Sequence, residues 1–494
     1  MTRDQRATPL YDALWHYAHE NTIAFDVPGH KQGKAIPQRF IHDVGEMIFK
    51  LDANSTKALD LLSNPEGVIA EAEQLAADLF QADHAFFIVN GSTAGVQNMI
   101  LATVGQGQKI ILPRNVHKSA INALILSGAE PVYVEPAIEP YSGLAMGVPT
   151  TAFLEAIEAH PDAVAVFVLH PTYHGFTCDV ATIASAAHAH GMAVLADQAH
   201  GSLFSLHEAL PQSALTLGAD LATLSLHKSG GSLTQSSLLI MREGFVEKAR
   251  VRTAINLMQT SSASYLLMAS LDLARADLAA HARQRVQAVL GHIEQFKKRL
   301  ETIPGLRLLD KALCAQGLAF AHDPMKLCLD VSAYDIRGFE LYDRFKEEAN
   351  VQFELAESRV LLGIASLADE TGRSLEVLAD TCERIFKTVD LRTEAREPFV
   401  LLTFPPRVMT PREAYYQPSE SIPIEAAVGR IAADALMIYP PGIPIVVPGE
   451  VITAKVIEQF LRWYAYDNFL VGATTEDTRL LIRVIEEEVS NDVT

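Results

Sequence analysis

Residues 165–200 read AVFVLHPTYHGFTCDVATIASAAHAHGMAVLADQAH, and the fold turns on them. Two short apolar runs, AVFVL (165–169) and AVLA (193–196), flank an Ala-rich stretch, ATIASAAHAHG (181–191). Each run has the length of a buried strand, and the stretch between them is long enough for a crossover helix. A strand, a helix and a second strand in that order predict a parallel βαβ unit. Both runs end on polar side chains: His170-Pro171-Thr172-Tyr173-His174 after the first, and Asp197-Gln198-Ala199-His200 after the second.

The same two textures recur on either side. AFFIV (85–89), KIIL (109–112), PVYV (131–134), LATLSL (221–226) and SLLIM (237–241) are strand-like, and TAGVQNMILATV and KSAINALILSGA are helical. Upstream, Val68, Ala72, Leu75 and Leu79 share a helical face after Pro65. This alternation predicts an α/β fold: a mostly parallel, doubly wound sheet covered by helices. A further helix is expected over roughly 261–303, ending near Pro304-Gly305. A shorter mixed α+β region follows, then a candidate linker at 391–413 where Pro398, Pro405, Pro406 and Pro411 cluster. The stretch YPPGIPIVVPGE (439–450) is too rich in proline for a helix or an interior strand. The expected divisions are an N-terminal segment (1–60), a major domain (61–303), a small α+β domain (304–393) and a C-terminal α+β domain (394–494).

Bulk properties narrow the function. The 494 residues are 49% hydrophobic and 20% charged, enough apolar matter for a large core. Sixty acidic residues against 40 basic ones give a formal net charge of −20. That balance, with no Lys/Arg run, argues against nucleic acid as a partner. MTRDQRATPLYDALW holds no apolar core of signal-peptide length, and no window resembles a membrane span. Cys178, Cys314, Cys328 and Cys382 have neither CxxC nor metal-ligand spacing. A cytoplasmic protein with reduced thiols and no metal is expected. His170 and His174 have ligand-like spacing, but Pro171 lies between them. His188 and His190 sit late in a helix, where positive charge is mildly favoured.

Ligands of open parallel sheets bind beyond the carboxyl ends of the strands. There this chain delivers Asn90-Gly91-Ser92-Thr93, His117, Thr172, Asp197, His200, Ser225, His227 and Lys228. The set suits pyridoxal phosphate. Lys228 would hold it as a Schiff base, and Asp197 would pair with the pyridine nitrogen. Gly91, Ser92 and Thr93, opening a helix, would take the phosphate. His117 would stack on the ring, and His200 would bond its phenolic oxygen or the substrate carboxylate. Thr172, Ser225 and His227 would complete the rim. Taken singly, each group has a plainer role as snorkelling lysine, cap or structural histidine. It is their joint placement at successive strand ends that caps and turns do not explain.

Residues 223–237, TLSLHKSGGSLTQSS, then match the lysine-attachment signature of the bacterial ornithine/lysine/arginine decarboxylases. VPGHKQG (27–33), NGSTAG (90–95), LPRNVHKS (112–119), Asp-x-Ala-His (197–200), MTPREAYY (409–416) and YPPGIPIVVPGE resemble the family's landmarks, in family order. The chain is most similar to the compact arginine decarboxylases that have no N-terminal wing domain. The resemblance implies a fold-type I pyridoxal-phosphate enzyme, at least dimeric, that releases CO2 from a basic amino acid. It implies active sites at the subunit interface, with Pro28-Gly29-His30-Lys31 reaching the partner. It also implies reprotonation at Cα by Lys228 or His227. Catalytic roles accordingly fall to Lys228, His227, His117, Asp197 and His200.

Three positions depart from the family pattern: Gln198, His174, and Leu61 where a second aspartate is usual. All bear on substrate choice. Arginine is the expected substrate, then lysine, then ornithine, with Glu476 and Asp477 as candidate partners of the distal cation. Competing classes are aminotransfer or elimination, with Arg359 holding a substrate carboxylate, and a non-catalytic decarboxylase-like regulator.

Overall fold

A computed structural model describes residues 3–20, 22–393, 404–438, 443–464, 470–476 and 479–487. All seven apolar runs of residues 84–241 are strands of one sheet: β1 (His84–Ile88), β2 (Lys109–Pro113), β3 (Glu130–Val134), β4 (Ala163–Leu169), β5 (Ala193–Asp197), β6 (Leu221–Leu224) and β7 (Ser237–Met241). Their spatial order is β1-β7-β6-β5-β4-β2-β3. Pairing is parallel from β3 through β6, while β7 runs antiparallel to both β6 and β1. The reversal has a local cause. The chain between β6 and β7 forms only one helical turn, Leu226–Ser229, and a parallel return needs a full crossover.

Alternate residues of each strand enter two separate cores. Phe86, Ile88, Ile110, Leu112 and Phe167 pack under the helices Gly91–Thr103 and Lys118–Ser127. Phe87, Ile111, Val166, Val168 and Val194 pack under Val68–Leu79, Val180–Ala189 and the 36-residue helix Tyr265–Leu300. At 1.5 Å per residue that helix runs about 54 Å. Its core is continuous with a four-stranded antiparallel sheet, ordered β10-β11-β9-β8, where β8 is Arg307–Leu309, β9 Lys326–Asp330, β10 Leu355–Ala356 and β11 Val360–Ile364.

The C-terminal part carries two three-stranded sheets. Part of the expected linker is structured. Residues 394–403 lie outside the described residues, but Pro411–Tyr416 is a helix with a Thr410/Glu413 capping box and proline in its first turn, where no N–H is lost. In the proline-rich stretch, Ile443–Val446 is an edge strand against Leu436–Ile438, so Pro444 disturbs no interior ladder. Residues 439–442 lie outside the described residues. Among the described residues, no helix is long and apolar enough to cross a membrane.

Candidate active site

The helix Gly91–Thr103 starts directly after β1. Gly91 has φ +71°, and its N–H donates to the Gln235 carbonyl at 2.8 Å. No side chain caps this N-terminus and its first turn holds no carboxylate, so the positive end of the helix dipole is uncompensated. Ser92 Oγ lies 2.5 Å from Ser225 Oγ and 3.3 Å from Ser237 Oγ. Hydroxyls from three segments thus meet at a helix N-terminus, a setting that attracts an anion. Thr93, in the same turn, is exposed. The approach of helix to sheet is set by Gly95, where a Cβ would fall 2.0 Å from Thr223 Oγ1 on β6.

Strand β6 stops at Leu224, so Lys228 sits not on the strand but in the helical turn beyond it. Its Nζ is 2.7 Å from His200 Nε2 and 5.6 Å from the centre of the Tyr173 ring. Burial lowers the Lys228 pKa, against the raising effect of the Asp197 and Glu354 carboxylates. Asp197 ends β5, and its Oδ1 accepts the Ala199 N–H at 3.0 Å. Its charge also acts on His117, whose pKa is lowered chiefly by burial. His117 is the N-cap of the helix Lys118–Ser127. Its Nδ1 accepts the Ser119 N–H at 3.2 Å, which leaves the ring proton on Nε2. His200 is held far below the usual histidine range by burial and then by Lys228 and Lys326, so its ring is neutral.

Comparison with known proteins identifies the family. The family model for the Orn/Lys/Arg decarboxylase major domain matches residues 8–404, and that for the C-terminal domain of the same family matches residues 395–472. The chain belongs to the Orn/Lys/Arg decarboxylase family. An arginine decarboxylase of Bacillus subtilis (strain 168) is 38% identical over 491 residues, covering 98% of this chain and 99% of the relative. One from Halalkalibacterium halodurans is 38% identical over 488 residues, covering 98% of each. The crystal structure of the Francisella novicida lysine decarboxylase shares the fold, with a TM-score of 0.83, 20% identity, and coverage of 98% of this chain and 82% of that one.

Within this decarboxylase-family chain, two further expected residues hydrogen-bond to backbone groups. His227 Nδ1 is 2.8 Å from the Ser236 carbonyl, and burial lowers its pKa. Thr172 Oγ1 accepts the Phe176 N–H at 3.2 Å. The departures from the family pattern divide. Gln198 is structural: its buried amide donates to the Gly201 carbonyl at 2.9 Å and accepts the Ala214 N–H at 2.7 Å. His174 is buried, 3.3 Å from Glu357. The ring facing Lys228 belongs to its neighbour Tyr173, which packs at a tilt on His200 with ring centroids 4.2 Å apart. Leu61 is exposed. Glu476 is exposed on a C-terminal strand, and Asp477 lies outside the described residues. Arg359 donates to the Tyr141 carbonyl. His188 pairs with Asp220 at 3.0 Å. Among the described residues, no group of three or more His, Cys, Asp or Glu could hold a metal ion.

Sequence reasoning missed three residues around Lys228. Tyr173 lies over it, and the Tyr173 hydroxyl donates to Glu354. Lys326 Nζ approaches the other nitrogen of the His200 ring, 3.2 Å from Nδ1. Tyr173 was legible, since it sits in a strand-end motif already singled out. Lys326 and Glu354 come from the four-stranded domain, with no motif to link them to the site.

Proposed function

We propose that this chain is a pyridoxal-phosphate-dependent decarboxylase of a basic L-amino acid, converting arginine to agmatine and CO2, with lysine and then ornithine as the next substrates in order. The observation that carries the proposal is the Lys228 amine, its pKa lowered by burial, in contact with a neutral His200 and within the field of Asp197. The donor set fits the cofactor. The uncapped helix start at Gly91, Ser92 and Thr93, with Ser225, offers N–H and hydroxyl donors to a phosphate. Asp197 offers a carboxylate to a pyridinium. His117, with Nδ1 engaged by Ser119, has its ring orientation fixed. His200 Nε2 offers a contact to a phenolic oxygen. The preference for arginine rests on the 38%-identical relatives, which are named arginine decarboxylases.

Pyridoxal phosphate supplies the electron sink that accepts the pair left when CO2 departs. The chain's own residues do the rest. Burial keeps Lys228 Nζ available as a base and nucleophile. Asp197 would hold the cofactor's ring nitrogen in its protonated form. Lys228 Nζ or the His227 ring returns a proton to the substrate Cα. Tyr173 shields the amine from water.

The working form is proposed to be a homodimer with its sites at the interface. Exposed Ile23, Phe25, Val27 and Phe40 flank the His30 segment, an apolar surface that suits a partner contact. Cytoplasmic location and a product feeding polyamine biosynthesis complete the proposal. The four cysteines are free thiols, as a reducing compartment allows.

The test is a panel of arginine, lysine, ornithine and acidic amino acids scored by amine product and CO2. Arginine should turn over fastest, with no keto acid formed. Failure to turn over any basic amino acid would overturn the proposal. Lys228→Ala should lose turnover and the borohydride-trapped cofactor adduct; an adduct at another lysine would refute its assigned role.

A further inference from the structure

His200 stands between two lysines, and the geometry limits how protons can be arranged among them. Lys228 Nζ is 2.7 Å from Nε2, and Lys326 Nζ is 3.2 Å from Nδ1. A neutral imidazole has one N–H and one lone pair, whereas an ammonium can only donate. Both lysines therefore cannot be ammonium ions hydrogen-bonded to this ring. One donates to the lone pair, and the other must be a free amine that accepts the ring N–H. Which ring nitrogen holds the proton determines which amine is free.

We propose that Lys326 is a proton-holding partner of Lys228, taking up through the His200 ring the proton that Lys228 gives up when it becomes a free base. The step balances. Lys228 Nζ–H transfers its proton to Nε2, Nδ1–H passes its proton to Lys326 Nζ, and the ring ends neutral in the other tautomer. No proton is released to solvent and no charge is gained. Lys326 thus acts through His200 and is a positioning residue for the Lys228 amine.

The surroundings are built for it. Lys326 is 2% exposed, and burial brings its pKa down to about 8, the same direction in which burial moves Lys228. Its stem lies against Gly175 (φ +92°), where a Cβ would fall 2.6 Å from Lys326 Cγ and 2.9 Å from its Cβ. The Asp323 N–H donates to the Gly175 carbonyl at 2.8 Å, and the Lys326 N–H donates to the Asp323 carbonyl at 3.1 Å, so the lysine's backbone is tied to the same turn. The other charged and titratable groups facing the relay are known. Asp323 and Glu354 act on Lys326, Asp197 and Glu354 act on Lys228, and His117 and His174 act on His200.

The inference rests on Lys228 being the reacting amine, so the test reads that amine directly in full-length protein stripped of cofactor. Trace acetic anhydride with peptide mass spectrometry gives Lys228 reactivity against pH. Wild type should show two inflections, as coupled sites do. Lys326→Met should show one, about one pH unit higher, so that labelling at neutral pH falls about tenfold. A Lys326→Met curve that superimposes on a depressed wild-type curve would overturn the relay and leave the proposed function standing. An ordinary lysine curve in wild type would overturn both. If Lys326→Met does not fold, ring-15N-histidine spectra of wild type decide: the dominant His200 tautomer should change between pH 6 and 10, and a single fixed tautomer would overturn the relay.

Discussion

At the scale of single residues, the site was legible where chemistry is unusual for its position and illegible where only burial makes it so. Lys228, Asp197, His117 and Ser92 follow strands, and polar groups gathered there demand an explanation. Lys326 begins KLCLD, an apolar run in which a lysine is expected to point to solvent, and only the packed structure buries it. Gly95 illustrates a second gap. It had no assigned role in NGSTAG, yet its task is contact: the helix Gly91–Thr103 crosses β6 so closely that a methyl group would overlap Thr223. Gly95→Ala is predicted to cost about 1–3 kcal/mol by overpacking. The helix start would also shift from Ser225, so the variant should retain cofactor less well. Urea midpoints and the visible absorbance after gel filtration check both effects, and an unchanged midpoint would show that the contact relaxes freely.

At the scale of elements, the strands were read correctly because parallel strands buried on both faces are continuous apolar runs. The direction of β7 was not, because a connection too irregular for a crossover looks in sequence like a loop. The helix Pro411–Tyr416 was missed for a related reason: neighbouring prolines outweighed the Thr410-x-x-Glu413 capping box. Two motifs noted separately turn out to be one device. Arg114, from LPRNVHKS, is fully buried between the Tyr133 and Phe404 rings. It makes a bidentate pair with Glu450, from the end of YPPGIPIVVPGE, with Nη2 2.7 Å from Oε2 and a 3.0 Å bond to the Ile445 carbonyl. Arg412 donates to the Leu126 carbonyl at 2.7 Å, at the C-terminus of the helix that His117 caps. The C-terminal part therefore grips both ends of the segment that carries His117. Removing one partner leaves the other charge buried, at a cost of about 3–5 kcal/mol. Arg114→Met and Glu450→Gln should each lower stability by that order, and the double variant should lose far less than the sum. Additive losses in a double-mutant cycle would mean that the pair is not coupled.

At the scale of the whole molecule, two effects oppose each other as pH falls below neutrality. The formal charge of −20 diminishes, easing self-repulsion. Surface charges more than about 8 Å apart are largely screened at physiological ionic strength, so that gain is small. Against it stand histidines that folding keeps neutral. Burial lowers the pKa of His170 to about 4 and that of His322 to about 4, and it holds His200 well below the usual range. Between roughly pH 6.5 and 4 the unfolded chain binds protons at these rings and the folded chain does not. Stability is therefore full above about pH 6.5 and is lost as pH falls toward 4. Each ring contributes up to about 1.4 kcal/mol per pH unit across that window, which outweighs the screened surface term. His322 packs at a tilt against Phe176, ring centroids 4.6 Å apart, and its Nε2 has no partner among the described residues, so its replacement tests the buried-ring contribution. The urea midpoint of wild type should fall between pH 7 and pH 5, and His322→Asn should fall by measurably less over the same interval. Equal falls would place the acid sensitivity in other groups.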